Sequence, residues 1–281
     1  MKRVLIVPHP IRADAQTLAA DAAAHLRKQN IEVIEHPHGA LPQKVAGALD
    51  LVVTVGGDGT VLRAVQCVGD SQTPIMAVHA GNLGYLTEFQ PSDLIDTLDA
   101  WNAGKQFVAD DRMLLQVECS VSGKIERRYA LNEAVVEKRE PGHTVRVRID
   151  IDDEAFTTFA ADGVIVATPT GSTAYSFSAR GPIVSPRQRA VLMTPVSPHM
   201  LFDRSLVLAP DESLRLTVES ARPVELVVDG MKFASLGKGD TVTCSGADRM
   251  ARFLRLEPRR FHRILKTKFG LADEVGGGDA Q

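Results

Sequence analysis

Near residue 110 the hydrophobic period of this 281-residue chain changes, and that change constrains the fold more than any other feature. Upstream, apolar residues come in short unbroken runs, V-L-I-V (4–7), L-V-V-T-V (51–55) and P-I-M-A-V (74–78), separated by helical spacings such as Leu18, Ala22 and Leu26. A strand covered on both faces has no polar side to show, so it reads as a run and not as an alternation. Strand and helix in turn imply a doubly wound parallel α/β domain. After the third run, Ser92 is placed to cap a helix carrying Leu94, Ile95 and Leu98. Downstream the period is two: Leu115, Val117, Cys119 and Val121 alternate with Gln116, Glu118, Ser120 and Ser122. Val145, Val147, Ile149 and Ile151 repeat the pattern against Arg146, Arg148, Asp150 and Asp152, and further pieces stand at 214–218 and 252–256. Many short strands with one buried and one wet face imply an antiparallel β-sandwich domain. The expected organisation is an N-terminal α/β domain over 1–109 and a C-terminal β domain over 110–257. A last helix over 258–272, striped by Phe261, Ile264, Leu265 and Phe269, should pack back on this body, and the tail 273–281 has too little to bury to be ordered.

Composition removes several function classes. Net charge is −3 with 24% charged residues, so no overall basic field draws the chain to nucleic acid or an anionic membrane. Only Arg249 to Lys268 is basic, which reads as a solvated helix face and strand edge. Cys67, Cys119 and Cys244 are odd in number and far apart, so neither a disulfide framework nor a zinc site is implied. No apolar run approaches the ~20 residues of a membrane helix, and the N-terminal R-V-L-I-V reads as a strand and not as a signal segment, so a cytoplasmic location is expected.

The second apolar run ends in G-G-D-G-T (56–60), and Val61, Val65 and Val68 then follow at helical spacing. A helix N-terminus exposes N–H groups, and glycines let a phosphate approach the backbone, so Gly56, Gly57 and Gly59 form a candidate phosphate turn. Leu62 stands where a dinucleotide fingerprint needs its third glycine, and no G-K-[ST] occurs, so the turn is neither a Rossmann nor a Walker loop. The carboxylate of Asp58 is out of place beside a phosphate unless it has work to do. It can accept a proton from, or orient, an attacking hydroxyl while Mg²⁺ neutralises the phosphates, or it can simply cap the helix.

A second glycine turn lies in D-G-V-I-V-A-T-P-T-G-S-T-A-Y-S-F-S-A-R-G-P (162–182). Hydroxyl residues crowd the end of a buried strand there, and Thr173 through Ala179 can form a short helix with another anion-binding N-terminus. Asn82 follows the third run, at the sheet edge where open α/β sheets bind ligands. Asn132 and Glu133 interrupt the apolar Y-A-L-N-E-A-V-V (129–136); a buried Glu needs a partner, either a ligand or a structural Arg or Lys.

Taken in order, G-G-D-G-T (56–60), N-L-G-Y-L-T-E (82–88), L-N-E (131–133), the run from Asp162 to Ser176 and D-G (229–230) resemble the NAD kinase family, which phosphorylates the 2′-hydroxyl of the adenosine ribose of NAD. The resemblance implies ATP as donor, NAD as substrate, a Mg²⁺ requirement and a homo-oligomer, dimer or tetramer, with no nucleic-acid or membrane partner. It makes Asp58 the proton acceptor and places Gly59, its neighbours and Thr60 at the phosphate site, with Arg63 one turn further on. It gives Asn132 to the base and Glu133 to the ribose, and directs Asp162 to the nicotinamide amide. Thr173, Ala174, Tyr175, Ser176 and Ser178 would line the dinucleotide, and His143 would make a further contact. Departures from the pattern are Arg180 where glycine is common, Met231 where glutamine is usual, and Ala160 in place of a charge. A lipid or sugar kinase sharing G-G-D-G-T, and a non-catalytic sensor of NAD or NADP, are the alternatives.

Overall fold

The structure is a computed structural model and describes residues 1–36, 44–68, 71–81, 84–121 and 123–271. The chain opens with β1 (Arg3–Pro8), α1 (Ala13–Lys28), β2 (Glu32–Glu35), β3 (Leu51–Gly56), α2 (Asp58–Val68), β4 (Ile75–His79) and α3 (Leu94–Asn102). Six strands, a one-turn helix and two further strands follow: β5 (Val108–Val121), β6 (Lys124–Ala130), β7 (Glu133–Lys138), β8 (Val145–Ile151), β9 (Glu154–Ala161), β10 (Gly163–Ala167), α4 (Tyr175–Ser178), β11 (Val191–Val196) and β12 (Leu206–Leu208). It closes with β13 (Leu214–Val218), β14 (Val224–Val228), β15 (Met231–Leu236), β16 (Thr241–Arg255) and α5 (Phe261–Phe269).

The parallel strands lie in the order β2-β1-β3-β4. Alternate side chains of these strands feed two cores. Val4, Ile6, Val53 and Met76 pack under α1 and α3, and Leu5, Val52, Ile75 and Ala77 under α2, which is the doubly wound arrangement the unbroken runs predict. Ser92 does not cap α3: its hydroxyl bonds Asp93, and a 3₁₀ turn over Pro91–Asp93 leads into the helix instead.

The same sheet continues into antiparallel strands, because β16 pairs β5 along its length while its other edge meets β13 first and β4 at Phe253. The full order is β2-β1-β3-β4-β16-β13-β8-β9, with β5 and β6 branching from β16. A second, six-stranded antiparallel sheet, β12-β11-β10-β7-β14-β15, faces the antiparallel part. Val147, Ile149, Phe159 and Leu216 from one sheet meet Val136, Val164, Leu226 and Val228 from the other in a sandwich core. Each such side chain contributes roughly 1.5–3 kcal/mol on burial.

The final helix is shorter than expected, Phe261–Phe269, and ends at Gly270 in the left-handed conformation (φ 60°). It touches both halves, with Lys268 over the Tyr85 ring and Phe269 5.2 Å from the Phe177 ring. The basic stretch around it is not simply a solvated face, since Arg255 is wholly buried and the Arg259 side chain only 13% exposed. The expected disordered tail 273–281 lies outside the described residues.

Candidate active site

The glycine turn is built by close approach. A Cβ on Gly56 would stand 2.2 Å from Thr60 Oγ1 and 3.2 Å from His9 Cβ, so only glycine lets the first turn of α2 press on the end of β3. Gly57 and Gly59 face open space, which leaves their backbone accessible. Thr60 and Val61 donate their N–H groups to the Gly57 carbonyl at 2.9 and 3.3 Å, so α2 starts without a side-chain cap from Asp58. The Asp58 carboxylate is clasped from the far side. Its Oδ2 accepts the Tyr85 N–H at 2.8 Å and its Oδ1 the Leu86 N–H at 2.9 Å. Gly84 passes so near that a Cβ there would lie 2.1 Å from Oδ1. Arg63 is half-buried one turn along α2, and Asn82 lies outside the described residues.

Asn132 and Glu133 sit where β7 begins, on a loop moulded by a residue that the motif reading left without a role. Asp229 and Gly230 have φ 48° and 74° and join Val228 to Met231, the geometry of a two-residue type I′ hairpin turn. From this turn the buried Asp229 carboxylate accepts the N–H groups of Leu131 (2.8 Å), Asn132 (2.8 Å) and Glu133 (3.2 Å). Gln66 of α2 bonds the Tyr129 carbonyl and also faces Asp229, tying the helix that starts at Asp58 to this loop. Burial lifts the Asp229 carboxyl to about 6 in spite of the three N–H groups. The D-G pair between V-E-L-V-V and M-K-F is a hairpin signal in the sequence; the carboxylate's reach to residue 131 is not.

Glu133 is buried, and burial, reinforced by the charge of Asp229 and only partly offset by the Tyr175 N–H, lifts its carboxyl to about 8. Its Oε2 has no hydrogen-bond partner, and among the described residues no Lys or Arg pairs with it. Of the two readings open for a buried Glu here, the structural cation is therefore missing and a ligand position remains.

The 168–181 segment crosses this loop. Gly171 lies on Asn132 so closely that a Cβ would be 2.2 Å from the Asn132 carbonyl oxygen. Half of the clustered hydroxyls point inward and fasten the segment: Thr168 to the Leu131 carbonyl, Ser172 to Pro169 and Val184, and Ser176 to Thr194 at 3.1 Å. Ser176 is fully buried, so its side chain does not line an open surface, contrary to expectation. Thr173, Ala174, Tyr175 and Ser178 remain at least partly accessible. The continuous helix expected from Thr173 to Ala179 is also broken, with a 3₁₀ turn at Gly171–Thr173, a kink at Ala174 and four residues of α4. Its N-terminus is no open anion site, because the Tyr175 N–H serves Glu133. Asp162 pairs with Lys138 at 2.6 Å. His143 is exposed on the turn between β7 and β8, and among the described residues no hydrogen bond ties it to the others. Arg180 adopts φ 67°, which explains why glycine suits that position, and Met231 begins β15.

A cleft of about 390 Å³ joins the two motif regions, walled by Tyr85 and Leu86 on the Asp58 side, Thr170 and Thr173 on the Asn132 side, and Arg112 and Phe261 across from them. Asp58 stands just behind its wall, one hydrogen bond away through Tyr85 and Leu86. Arg112, which the sequence did not single out, is buried here and bonds Asp110 at 2.8 and 2.7 Å.

Two family models match the chain: ATP-NAD kinase N-terminal domain over residues 4–106 and ATP-NAD kinase C-terminal domain over 131–256. An NAD kinase of Heliobacterium modesticaldum is 41% identical over 239 residues, 84% of each chain, and one of Syntrophotalea carbinolica is 33% identical over 96% of this chain and 99% of its own. Among solved structures, yeast NADH kinase complexed with NADH superposes with a TM-score of 0.85 at 27% identity, covering 99% of this chain and 90% of that one. An NAD kinase from Archaeoglobus fulgidus in complex with ATP gives 0.72 at 25% identity, covering 94% and 97%. Sequence identity along most of its length, matches in both halves and a shared fold together make this chain a member of the NAD kinase family.

Proposed function

We propose that the protein transfers the terminal phosphoryl group of ATP to the 2′-hydroxyl of the adenosine ribose of NAD, giving NADP. The observation that carries this reading is Glu133, a buried carboxyl with an unpartnered oxygen on a loop braced by Asp229, linked through Gln66 to the helix that Asp58 begins. A ribose hydroxyl fits that vacancy in hydrogen-bonding capacity, as acceptor or donor according to whether Glu133 holds its proton. Asn132 beside it is assigned to the adenine, Asp162 to the nicotinamide amide, and Thr173, Ala174, Tyr175 and Ser178 to the dinucleotide surface. Asp58 orients the 2′-hydroxyl and takes its proton as the new P–O bond forms and the bond to the β-phosphate oxygen breaks. Gly57 and Gly59 leave room for the transferred phosphate against the backbone.

Among the described residues no group of three His, Cys, Asp or Glu side chains could cage a metal ion. Mg²⁺ bound to the triphosphate would supply charge neutralisation on the transferring group. The α/β part is read as the donor side and the β part as the NAD side. Among the described residues no helix is long and apolar enough to cross a membrane, and a cytoplasmic enzyme is the reading adopted. Exposed Phe156 and Val207 on the outermost strands β9 and β12, together with exposed Leu201, support a homo-oligomer.

The test is Asp58→Asn, assayed with ATP, Mg²⁺ and NAD and with NADP detected by a specific dehydrogenase. Turnover should fall by ~10²- to 10⁴-fold, the usual contribution of a positioned base, with NAD affinity within a few fold. Undiminished turnover would remove Asp58 from the chemistry.

A further inference from the structure

Two arginines that follow the motif regions reach back to the segment that clasps Asp58. Arg255, at the end of β16, donates from Nη1 to the Leu86 carbonyl at 2.7 Å, and its Nε meets Asp110 at 2.9 Å and Glu88 at 3.5 Å. Arg259, four residues on, donates from Nη1 to the Tyr85 carbonyl and from Nη2 to the Thr87 carbonyl at 2.8 Å. Three consecutive carbonyls, 85 to 87, are thus gripped by two guanidinium groups, while the N–H groups of 85 and 86 hold the two Asp58 oxygens. A peptide plane is rigid, so fixing a carbonyl fixes the N–H of the next residue. Arg259 at the Tyr85 oxygen therefore sets the direction of the Leu86 N–H that meets the carboxylate, while Arg255 at the Leu86 oxygen and the second Arg259 contact hold the two peptide planes that follow it.

The surroundings keep both cations in place. Burial and the adjacent Arg255 charge bring Arg259 down to about 10, still protonated at neutral pH. Burial alone would raise Asp110, yet Arg112 and Arg255 hold it at about 2, so it stays an anion beneath them. The backbone N–H of Leu256 is bonded to Glu88 at 2.8 Å, which anchors the segment between the two arginines to the same stretch of chain.

We propose that Arg255 and Arg259 are positioning residues for Asp58, acting through the 85–87 backbone; this rests on Asp58 being the group that handles the 2′-hydroxyl. Arg255 is wholly buried and its loss would leave a cavity and remove a cation shared by Asp110 and Glu88, so the test uses Arg259. Arg259→Ala, Arg259→Lys, Asp58→Asn and the double variant Asp58→Asn/Arg259→Ala are compared by kcat, by NAD dissociation constant from calorimetry and by Tm. Arg259→Ala should lower kcat at least tenfold with NAD affinity within threefold. Arg259→Lys, whose single ammonium can meet one of the two carbonyls, should recover part of that loss and keeps the charge should the alanine variant fail to fold. Added to Asp58→Asn, Arg259→Ala should cost less than threefold. An unchanged kcat in Arg259→Ala, an equal loss in both backgrounds, or a loss confined to NAD affinity overturns the proposal. Where Asp58→Asn has no measurable turnover, the split between kcat and affinity and the lysine recovery decide. Full turnover in Asp58→Asn sinks the catalytic reading itself, whereas impaired Asp58→Asn with unimpaired Arg259→Ala sinks only the clamp.

Discussion

Glu133→Gln should make the ligand-free protein more stable while weakening its hold on NAD. In the folded chain burial lifts the Glu133 carboxyl from 4.5 to about 8, with the charge of Asp229 adding to it. An acid whose pKa is raised on folding binds more protons folded than unfolded between the two values, so stability falls as pH rises through that window. Below about 4.5 both states are protonated and nothing is lost; above about 8 the full penalty applies. At ~1.4 kcal/mol per pH unit, keeping this proton when the unfolded chain would release it costs about 1 kcal/mol at pH 5 and about 4 kcal/mol at pH 7.5. Glutamine keeps the shape and never ionises. Urea and thermal unfolding of both proteins without dinucleotide, from about pH 5 to about pH 8, should show the gap opening with pH, and ~2 °C in Tm for each kcal/mol is the scale for a chain this size. A gap that stays constant with pH, or a variant less stable throughout, would refute the claim that a buried carboxyl without a cation partner is held ready for a ligand.

Other substitutions test the scaffold. Gly171→Ala places a methyl 2.2 Å from the Asn132 carbonyl oxygen, so it should cost ~1–3 kcal/mol in unfolding experiments and raise the NAD KM as the Asn132 loop shifts. Arg180→Gly relieves a left-handed φ of 67° and should raise stability by ~1 kcal/mol, seen as a higher Tm.

The parallel strands are legible because Val4 to Val7, Leu51 to Val55 and Ile75 to Val78 are covered on both sides and carry no alternation to mislead. Val145 to Ile151 is legible for the opposite reason. What pattern cannot reveal is β16, a single strand whose register shifts between Gly246 and Met250 and whose neighbours change from β13 to β4, so that 252–256 reads as a separate piece. At the site, glycines mark both turns because close approach to Thr60 and Asn132 forbids a side chain. The hydroxyls are harder: Thr168, Ser172 and Ser176 recur every fourth residue and all turn inward, but composition alone does not separate them from Thr173 and Ser178. The roles of Arg255, Arg259 and Asp229 are not legible because their partners lie at least 96 residues away in the chain, and a charge is seen as buried only once its partner is known.

Strand β16 also limits how the molecule can move. Two lobes joined by a flexible linker can swing about a hinge to admit substrate, but here a 15-residue strand serves as a common spine, hydrogen-bonded to β13 at one end and to β4 at the other. Swinging the lobes apart would have to break the pairing of β16 with β4 at Phe253. Admission of nucleotide therefore falls first to side chains and short turns at the rim of the cleft.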